Sequence, residues 1–176
     1  MKRIIVIGTS GSGKSTLARA LAERATLPYF ELDAIFHRPN WKELPRDEFI
    51  ARITEIAQHD AWVVDGNYRQ YTSHTLWPRA DTIIWLDYRW SLVVSRVVRR
   101  TFVRLVRKQV LWNGNRESWR MAFSKQSIVW WAMTMHRVYR AQYRPIFERA
   151  DETEAVGKTL LRFRTPAQAD AWLRTR

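Results

Sequence analysis

The sequence predicts a three-layer α/β fold: a five-stranded parallel sheet with helices on both faces and a basic helical insertion before the last strand. Three observations carry that expectation. The apolar run Ile4-Ile5-Val6-Ile7 ends in a glycine-rich turn, Gly8-Thr9-Ser10-Gly11-Ser12-Gly13, and helical spacing begins directly after it. Short apolar runs then alternate with helix-spaced segments, an order that implies right-handed crossovers between parallel strands. From Trp90 to about Arg149 the alternation stops and only long helical patterns remain.

Each element has its own reason. Leu17 and Leu21, with Ala18, Ala22 and Ala25, recur on one side of a helix opened by Lys14-Ser15-Thr16. Pro28 introduces a second strand, Tyr29-Phe30-Glu31-Leu32-Asp33. Phe49, Ile50, Ile53, Ile56 and Ala57 place a helix over Arg46 to His59. Ala61-Trp62-Val63-Val64-Asp65 is a third strand stopped by Gly66, and Thr82-Ile83-Ile84-Trp85-Leu86-Asp87 a fourth. In such sheets ligands lie at the carboxyl ends of the strands, where Asp33, Asp65 and Asp87 fall.

In the basic region, Ser91 to Trp112 is expected to be a helix with an apolar side of Val94, Val98, Phe102 and Leu105. A basic stripe of Arg96, Arg100, Arg104 and Arg107 runs along it, and Asn113-Gly114-Asn115 ends it with turn chemistry. Helical patterns resume over 117–123 and 127–149, with Arg137, Arg140 and Arg144 on one face and Pro145 as a kink or stop. Thr159-Leu160-Leu161-Arg162-Phe163 is the fifth strand, and Pro166 opens a terminal helix through Trp172.

The 176 residues suit one domain with a full core. The formal net charge of +13 is unevenly spread. Residues 1–95 carry 12 basic and 11 acidic side chains, 150–176 carry 5 and 4, and 96–149 carry 13 and 2, so +11 lies in that last segment. Such a field concentrates polyanions: phosphate-bearing ligands, nucleic acid, or an anionic membrane met by the helix at 91–112.

The chain has no cysteine, which excludes disulfides and thiolate metal sites and fits a reducing cytoplasm. Met1-Lys2-Arg3 is followed by only four apolar residues, too few for a signal peptide, and the run Ile128 to Met135 is too short to span a bilayer. His37, His59, His74 and His136 lack metal-ligand spacing. Of the ten tryptophans, Trp62 and Trp85 in strands and Trp130-Trp131 in an apolar helix are expected in the core.

Gly8, Gly13, Lys14 and Ser15 match the phosphate-loop pattern G-x-x-x-x-G-K-[ST], and the strand and helix that the pattern needs flank it. Glycines let successive N–H groups turn inward around anionic oxygens, and the following helix points its positive end at the same place. The expected ligand is ATP, cradled by Gly8, Ser10, Gly11, Ser12, Gly13, Lys14, Ser15 and Thr16. Lys14 reaches the terminal phosphates, while the Ser15 hydroxyl and Asp65 are the expected magnesium ligands. Asp65 has a plainer alternative as a turn former.

Four stretches resemble the adenylate kinase-related P-loop kinases, most closely the group labelled DNA topology modulation proteins. They are the phosphate loop, Leu32-Asp33-Ala34-Ile35-Phe36 with Asn40-Trp41, Asp65-Gly66-Asn67-Tyr68, and Gly114-Asn115-Arg116-Glu117, and together they cover most of the chain. The resemblance implies a nucleoside monophosphate kinase-like fold using ATP and magnesium, with 96–149 as a lid inserted into a single domain 1–176. It implies that Arg69 grips the acceptor, although Asn67-Tyr68 stands where adenylate kinases have Phe-Pro. It also implies that Arg96 and Arg100 contact adenine and phosphates, that Arg137 and Arg140 return from the far side of the lid, and that Thr165-Pro166 lies beside the adenine. Asp33 would orient or deprotonate a hydroxyl acceptor, with a strand-terminal cap as the plainer role, and Trp41 would line the acceptor pocket.

Two functions follow from different classes. One is a magnesium-dependent phosphotransferase that moves the γ-phosphoryl group of ATP to a small nucleotide-like or hydroxylated acceptor. The other is a nucleic-acid-binding, topology-modulating protein with a regulatory ATP site, in which Trp112, Trp119 and Phe102 stack on bases among the arginines. The sequence leaves the oligomeric state open.

Overall fold

A computed structural model describes residues 1–124, 127–152 and 155–175. Five parallel strands form one sheet in the order β2-β3-β1-β4-β5: β1 (Arg3–Gly8), β2 (Tyr29–Glu31), β3 (Trp62–Asp65), β4 (Thr82–Leu86) and β5 (Thr159–Phe163). β1 is central because its apolar residues can be covered on both faces. Ile5 and Ile7 point to one side with Val64, Ile83 and Trp85, and Ile4 and Val6 to the other with Val63, Ile84 and Leu86. Burial of each such side chain stabilises the fold by about 1.5–3 kcal/mol.

Helices α1 (Lys14–Ala25), α2 (Leu32–Phe36), α3 (Arg46–Gln58), α4 (Arg69–Thr72) and α5 (Leu76–Arg79) fall among the first four strands. Helices α6 (Trp90–Val106), α7 (Trp119–Ala122) and α8 (Ile128–Glu148) lie between β4 and β5, and α9 (Pro166–Arg174) closes the chain. α1 and α9 cover one face of the sheet, and α3, α5 and part of α8 the other, which makes the three layers. α6 packs against α8. Two further contacts hold α8 down: the His136 ring meets the Tyr88 carbonyl at 2.9 Å, and the Trp90 indole donates to the Met133 carbonyl at 3.2 Å. No helix among the described residues is long and apolar enough to cross a membrane.

The structure corrects several sequence expectations. β2 stops at Glu31, and Asp33 lies in the first turn of α2, not at a strand end. Coiling there sends Leu32 into the core and packs Ile35 and Phe36 against it, whereas continued extension would leave an edge strand beyond its three-residue pairing with β3. The helix expected to reach Trp112 ends at Val106, and Lys108 takes a left-handed backbone. Its buried side is Val93, Val97, Thr101 and Leu105, so Val98 and Phe102 face outward. Trp130 and Trp131 are half exposed, while Trp62, Trp77 and Trp85 are fully buried. Pro145 does not end its helix, which runs on to Glu148. Lys125, counted in the basic segment, lies outside the described residues.

The insertion is latched to the region after β2. His37 pairs with Glu43 and Val110 with Arg116, closing two turns that dock on each other. The Asn115 side chain donates to the Arg38 carbonyl at 2.9 Å and accepts from the Trp41 N–H at 2.8 Å. The Trp41 indole donates to the Arg116 carbonyl at 3.1 Å, and Asn113 donates to the Ala34 carbonyl at 3.0 Å. Asn115 is buried, so both ends of its amide are satisfied inside the latch. Trp41 therefore joins the two turns.

Candidate active site

The turn between β1 and α1 has the geometry its glycines foretell. Gly13 caps α1 with φ 91° and offers no side-chain acceptor, and the first helical bond runs from the Leu17 N–H to the Gly13 carbonyl at 3.0 Å. The N–H groups of Lys14, Ser15 and Thr16 are thus left for a ligand at the positive end of the helix. Gly11 has φ 88°, and a Cβ there would meet Val97 Cγ2 at 2.4 Å and the Val93 carbonyl at 2.7 Å. The loop therefore lies hard against α6. Gly11→Ala is expected to lower stability by about 2–4 kcal/mol through backbone strain plus overpacking. Chemical denaturation measures it, and a loss within about 0.5 kcal/mol would mean that the loop moves freely away from α6.

Asn67 holds the base of the loop. Its amide accepts from the Gly8 N–H at 3.1 Å and donates to the Gly8 carbonyl at 2.7 Å. The same side chain lies near the Tyr139 hydroxyl of α8. Burial and the nearby Asp33 charge raise the Tyr139 pKa, so this hydroxyl keeps its proton. The loop, the β3 terminus and α8 meet at this one amide.

Asp65 ends β3, in register with Glu31 and Val6. Its Oδ2 accepts from the Ser15 hydroxyl at 2.5 Å and its Oδ1 from the Tyr29 hydroxyl at 3.0 Å. Burial pushes its pKa up to about 6, against the lowering effect of Lys14 and of the Ser15 hydrogen bond. A buried carboxylate whose ionisation is penalised, touching the hydroxyl that follows Lys14, suits a hard divalent cation. Ser15 and Asp65 therefore fit magnesium. Among the described residues no cluster of three or more His, Asp or Glu side chains converges. A cation here would complete its shell with phosphate oxygens and water.

Asp33 comes to the other side of Lys14. Its Oδ2 is 3.9 Å from Lys14 Nζ, and its Oδ1 accepts from the Tyr68 hydroxyl at 2.8 Å. Burial, and then the Asp33 charge, raise Tyr68 well above the ordinary phenol range, so it stays a donor. One oxygen of Asp33 is held by a fixed hydroxyl while the other faces the lysine, with the side chain still partly open to solvent.

The arginines divide. Arg100 reaches the loop from α6, donating to Ser10 Oγ at 3.1 Å. Burial, reinforced by Arg104, pushes its pKa down to about 10, so it remains a cation at neutral pH. Its Nε and the Ser12 hydroxyl are buried without partners, and both lie at the loop, as phosphate oxygens would require. Arg96 leans over the Tyr88 ring with its guanidinium near Gly13, 3.9 Å from where a Cβ would stand. Arg140 is drawn to Asp87 at 2.8 Å, an acid that also holds Arg162 at 2.6 Å. Arg137 is exposed on α8. Arg69 opens α4 with its guanidinium 5.4 Å from the centre of the Trp77 ring, its charge felt by the buried Tyr143 hydroxyl. Thr165 caps α9 by accepting from the Gln168 N–H, and Pro166 follows as the first helical residue, beyond β5 and two strands over from β1.

The structure thus gathers Lys14, Ser15, Asp33, Asp65, Arg96 and Arg100 about one loop and pairs Arg140 with Asp87, the residue after Leu86, the β4 partner of Gly8. Sequence reasoning gave no role to Tyr29, Tyr68, Asn67 or Tyr139. The one available signal was Asn67-Tyr68 in place of Phe-Pro, where two hydrogen-bonding side chains replace two that cannot bond.

No protein-family model matches the sequence, and no curated protein matches it. Solved structures do. A shikimate kinase from Acinetobacter baumannii in complex with shikimate has a TM-score of 0.60 at 14% identity, over 99% of this chain and 90% of that one. A gluconokinase from Sinorhizobium meliloti has a TM-score of 0.51 at 22% identity, over 99% of this chain and 92% of that one. At these identities the likeness establishes the fold, the three-layer α/β fold of P-loop kinases.

Proposed function

We propose that the chain is a magnesium-dependent kinase that transfers the γ-phosphoryl group of ATP to a hydroxyl of a small acceptor, with 96–149 as the lid of its single domain. The observation that carries this reading is the convergence of Lys14 and Asp33 at 3.9 Å, beside a phosphate loop whose serine touches Asp65. The solved neighbours, a shikimate kinase and a gluconokinase, support a kinase with a small hydroxylated acceptor. Arg69 is engaged with Trp77, and a hydroxyl acceptor needs no second phosphate clamp.

The residues divide the work. The N–H groups of the loop bind and orient the triphosphate, and Lys14 and Arg100 neutralise charge that builds on the transferred group. Ser15 and Asp65 would hold magnesium, which would supply further charge neutralisation when bound. Asp33 Oδ2 takes the proton of the acceptor hydroxyl as that oxygen bonds to the γ-phosphorus and the bond to the β,γ-bridging oxygen breaks, releasing ADP. Tyr68 keeps the carboxylate oriented, and the latch of Trp41, Asn113 and Asn115 keeps the lid over the acceptor side, which excludes water.

Following ADP release against a panel of hydroxylated acids, sugars, nucleosides and nucleoside monophosphates tests the reading. A hydroxylated compound that accelerates ADP release and gains a phosphate is the expected result. ADP release that no compound stimulates would overturn it. The second reading, nucleic-acid binding along 96–149 with a regulatory ATP site, draws its support from the +11 charge and from the resemblance to the DNA topology modulation group. Several of those cations are already engaged, Arg104 by Glu117, Arg140 by Asp87 and Arg144 by Glu148.

A further inference from the structure

A groove of about 490 Å³ runs between α6, α7 and α8, apart from the site just described. Val98, Leu105, Val129 and Met133 give it aliphatic walls, and Phe102 and Trp119 give it aromatic ones. Its edge stands open to solvent: Phe123 is 85% exposed and Trp119 49%. Trp119 lies nearly parallel to Phe123 at 6.2 Å, and Phe102 meets Trp119 edge-on at 6.2 Å. These rings prop each other up at the surface and cover no core.

The surroundings are cationic without relief. Arg99 and Arg120 are exposed on α6 and α7. The two acids of 96–149 are both taken, Glu117 by Arg104 at 3.0 Å and Glu148 by Arg144 and Arg162. Neither offsets the basic rim.

We propose that this groove and its aromatic edge dock the protein on an anionic lipid bilayer. Charge decides among the occupants. A second copy would bring another +11 segment against the first, and repulsion would oppose the pairing. A nucleic acid would use the rings for stacking and leave the aliphatic walls uncovered. A bilayer with acidic headgroups satisfies both features: its phosphates meet the arginines, and its hydrocarbon receives Phe123, Trp119 and the aliphatic walls. The inference goes beyond the kinase reading and does not depend on it.

Co-sedimentation of the full chain with vesicles tests it, using phosphatidylcholine alone and two parts phosphatidylcholine to one part phosphatidylglycerol. Binding is expected only with phosphatidylglycerol and should weaken as salt rises. The double variant Trp119→Ser, Phe123→Ser should lose about tenfold in affinity while still melting cooperatively. Arg99→Gln and Arg120→Gln should each cost about fivefold and flatten the salt dependence. No binding to the acidic vesicles at low salt would overturn the proposal, as would full binding by the aromatic double variant. It would equally fail if the aromatic variant lost affinity for a single-stranded oligonucleotide but not for vesicles, or turned a dimer into a monomer.

Discussion

Asp33→Asn is expected to lower turnover by about a thousandfold while ATP with magnesium protects the protein from thermal unfolding as before. The asparagine carbonyl can still accept from Tyr68, so the local geometry survives, but nothing remains at Oδ2 to take a proton. The two plausible roles of Asp33 separate on this measurement. A carboxylate that serves as proton acceptor loses kcat and leaves nucleotide binding intact. One that only favours the start of α2 through the helix dipole loses a few tenths of a kcal/mol of stability and little else. A drop in kcat of less than about tenfold would remove Asp33 from the chemistry. The companion Tyr68→Phe, which frees the carboxylate without removing it, should lower kcat by about tenfold with an altered pH profile.

The second large effect is expected at Asp65, where stability and ligand binding should move in opposite directions. Its folded-state pKa of about 6 lies above its ordinary value of 3.8. The folded protein therefore holds the proton more tightly than the unfolded chain does. Below pH 4 both states are protonated and the carboxylate costs nothing. As pH rises from about 4 to above 6 the buried charge comes to destabilise the fold by about 3 kcal/mol in the absence of magnesium. Asp65→Asn keeps acceptors and donors for Ser15 and Tyr29, so it should stabilise the metal-free protein by about that amount at pH 8 and by nothing near pH 4. The same variant should abolish the extra thermal protection that magnesium adds to ATP. Denaturation at the two pH values, with and without ATP and magnesium, reads both. Equal destabilisation at both pH values would mean that the carboxylate acts as a packed hydrogen-bond acceptor and not as a strained charge.

Much of this site was legible before any fold. The spacing of Gly8, Gly13, Lys14 and Ser15 dictates a phosphate cradle because short-range backbone geometry alone forms it. The strand that carries Asp65 was equally plain, since the three buried residues Trp62, Val63 and Val64 precede a polar stop. Asp33 was found as a residue but misplaced as a conformation. Whether Leu32-Asp33 stays extended or coils depends on whether the sheet offers a pairing partner there, and β3 offers only three residues to β2. The face of α6 was misjudged for a related reason. Its apolar residues nearly encircle the helix, so periodicity could not tell Val93 and Val97, which lie against the loop, from Val98 and Phe102.

What the sequence by itself determined is local and periodic: the loop, the strand order in the chain, the parallel sense of the sheet and the concentration of charge in 96–149. These follow from neighbours a few residues apart. Tertiary structure alone decided which side chains meet across long stretches of chain. Tyr68 reaches Asp33, Asn67 clamps Gly8, Arg100 reaches Ser10, and Asn115 latches onto Arg38 and Trp41. Such bonds join residues 35 to 90 positions apart, and no pattern of neighbouring residues encodes them. They form because burial leaves polar groups beside one another that must be paired, and only the packed chain settles which groups those are.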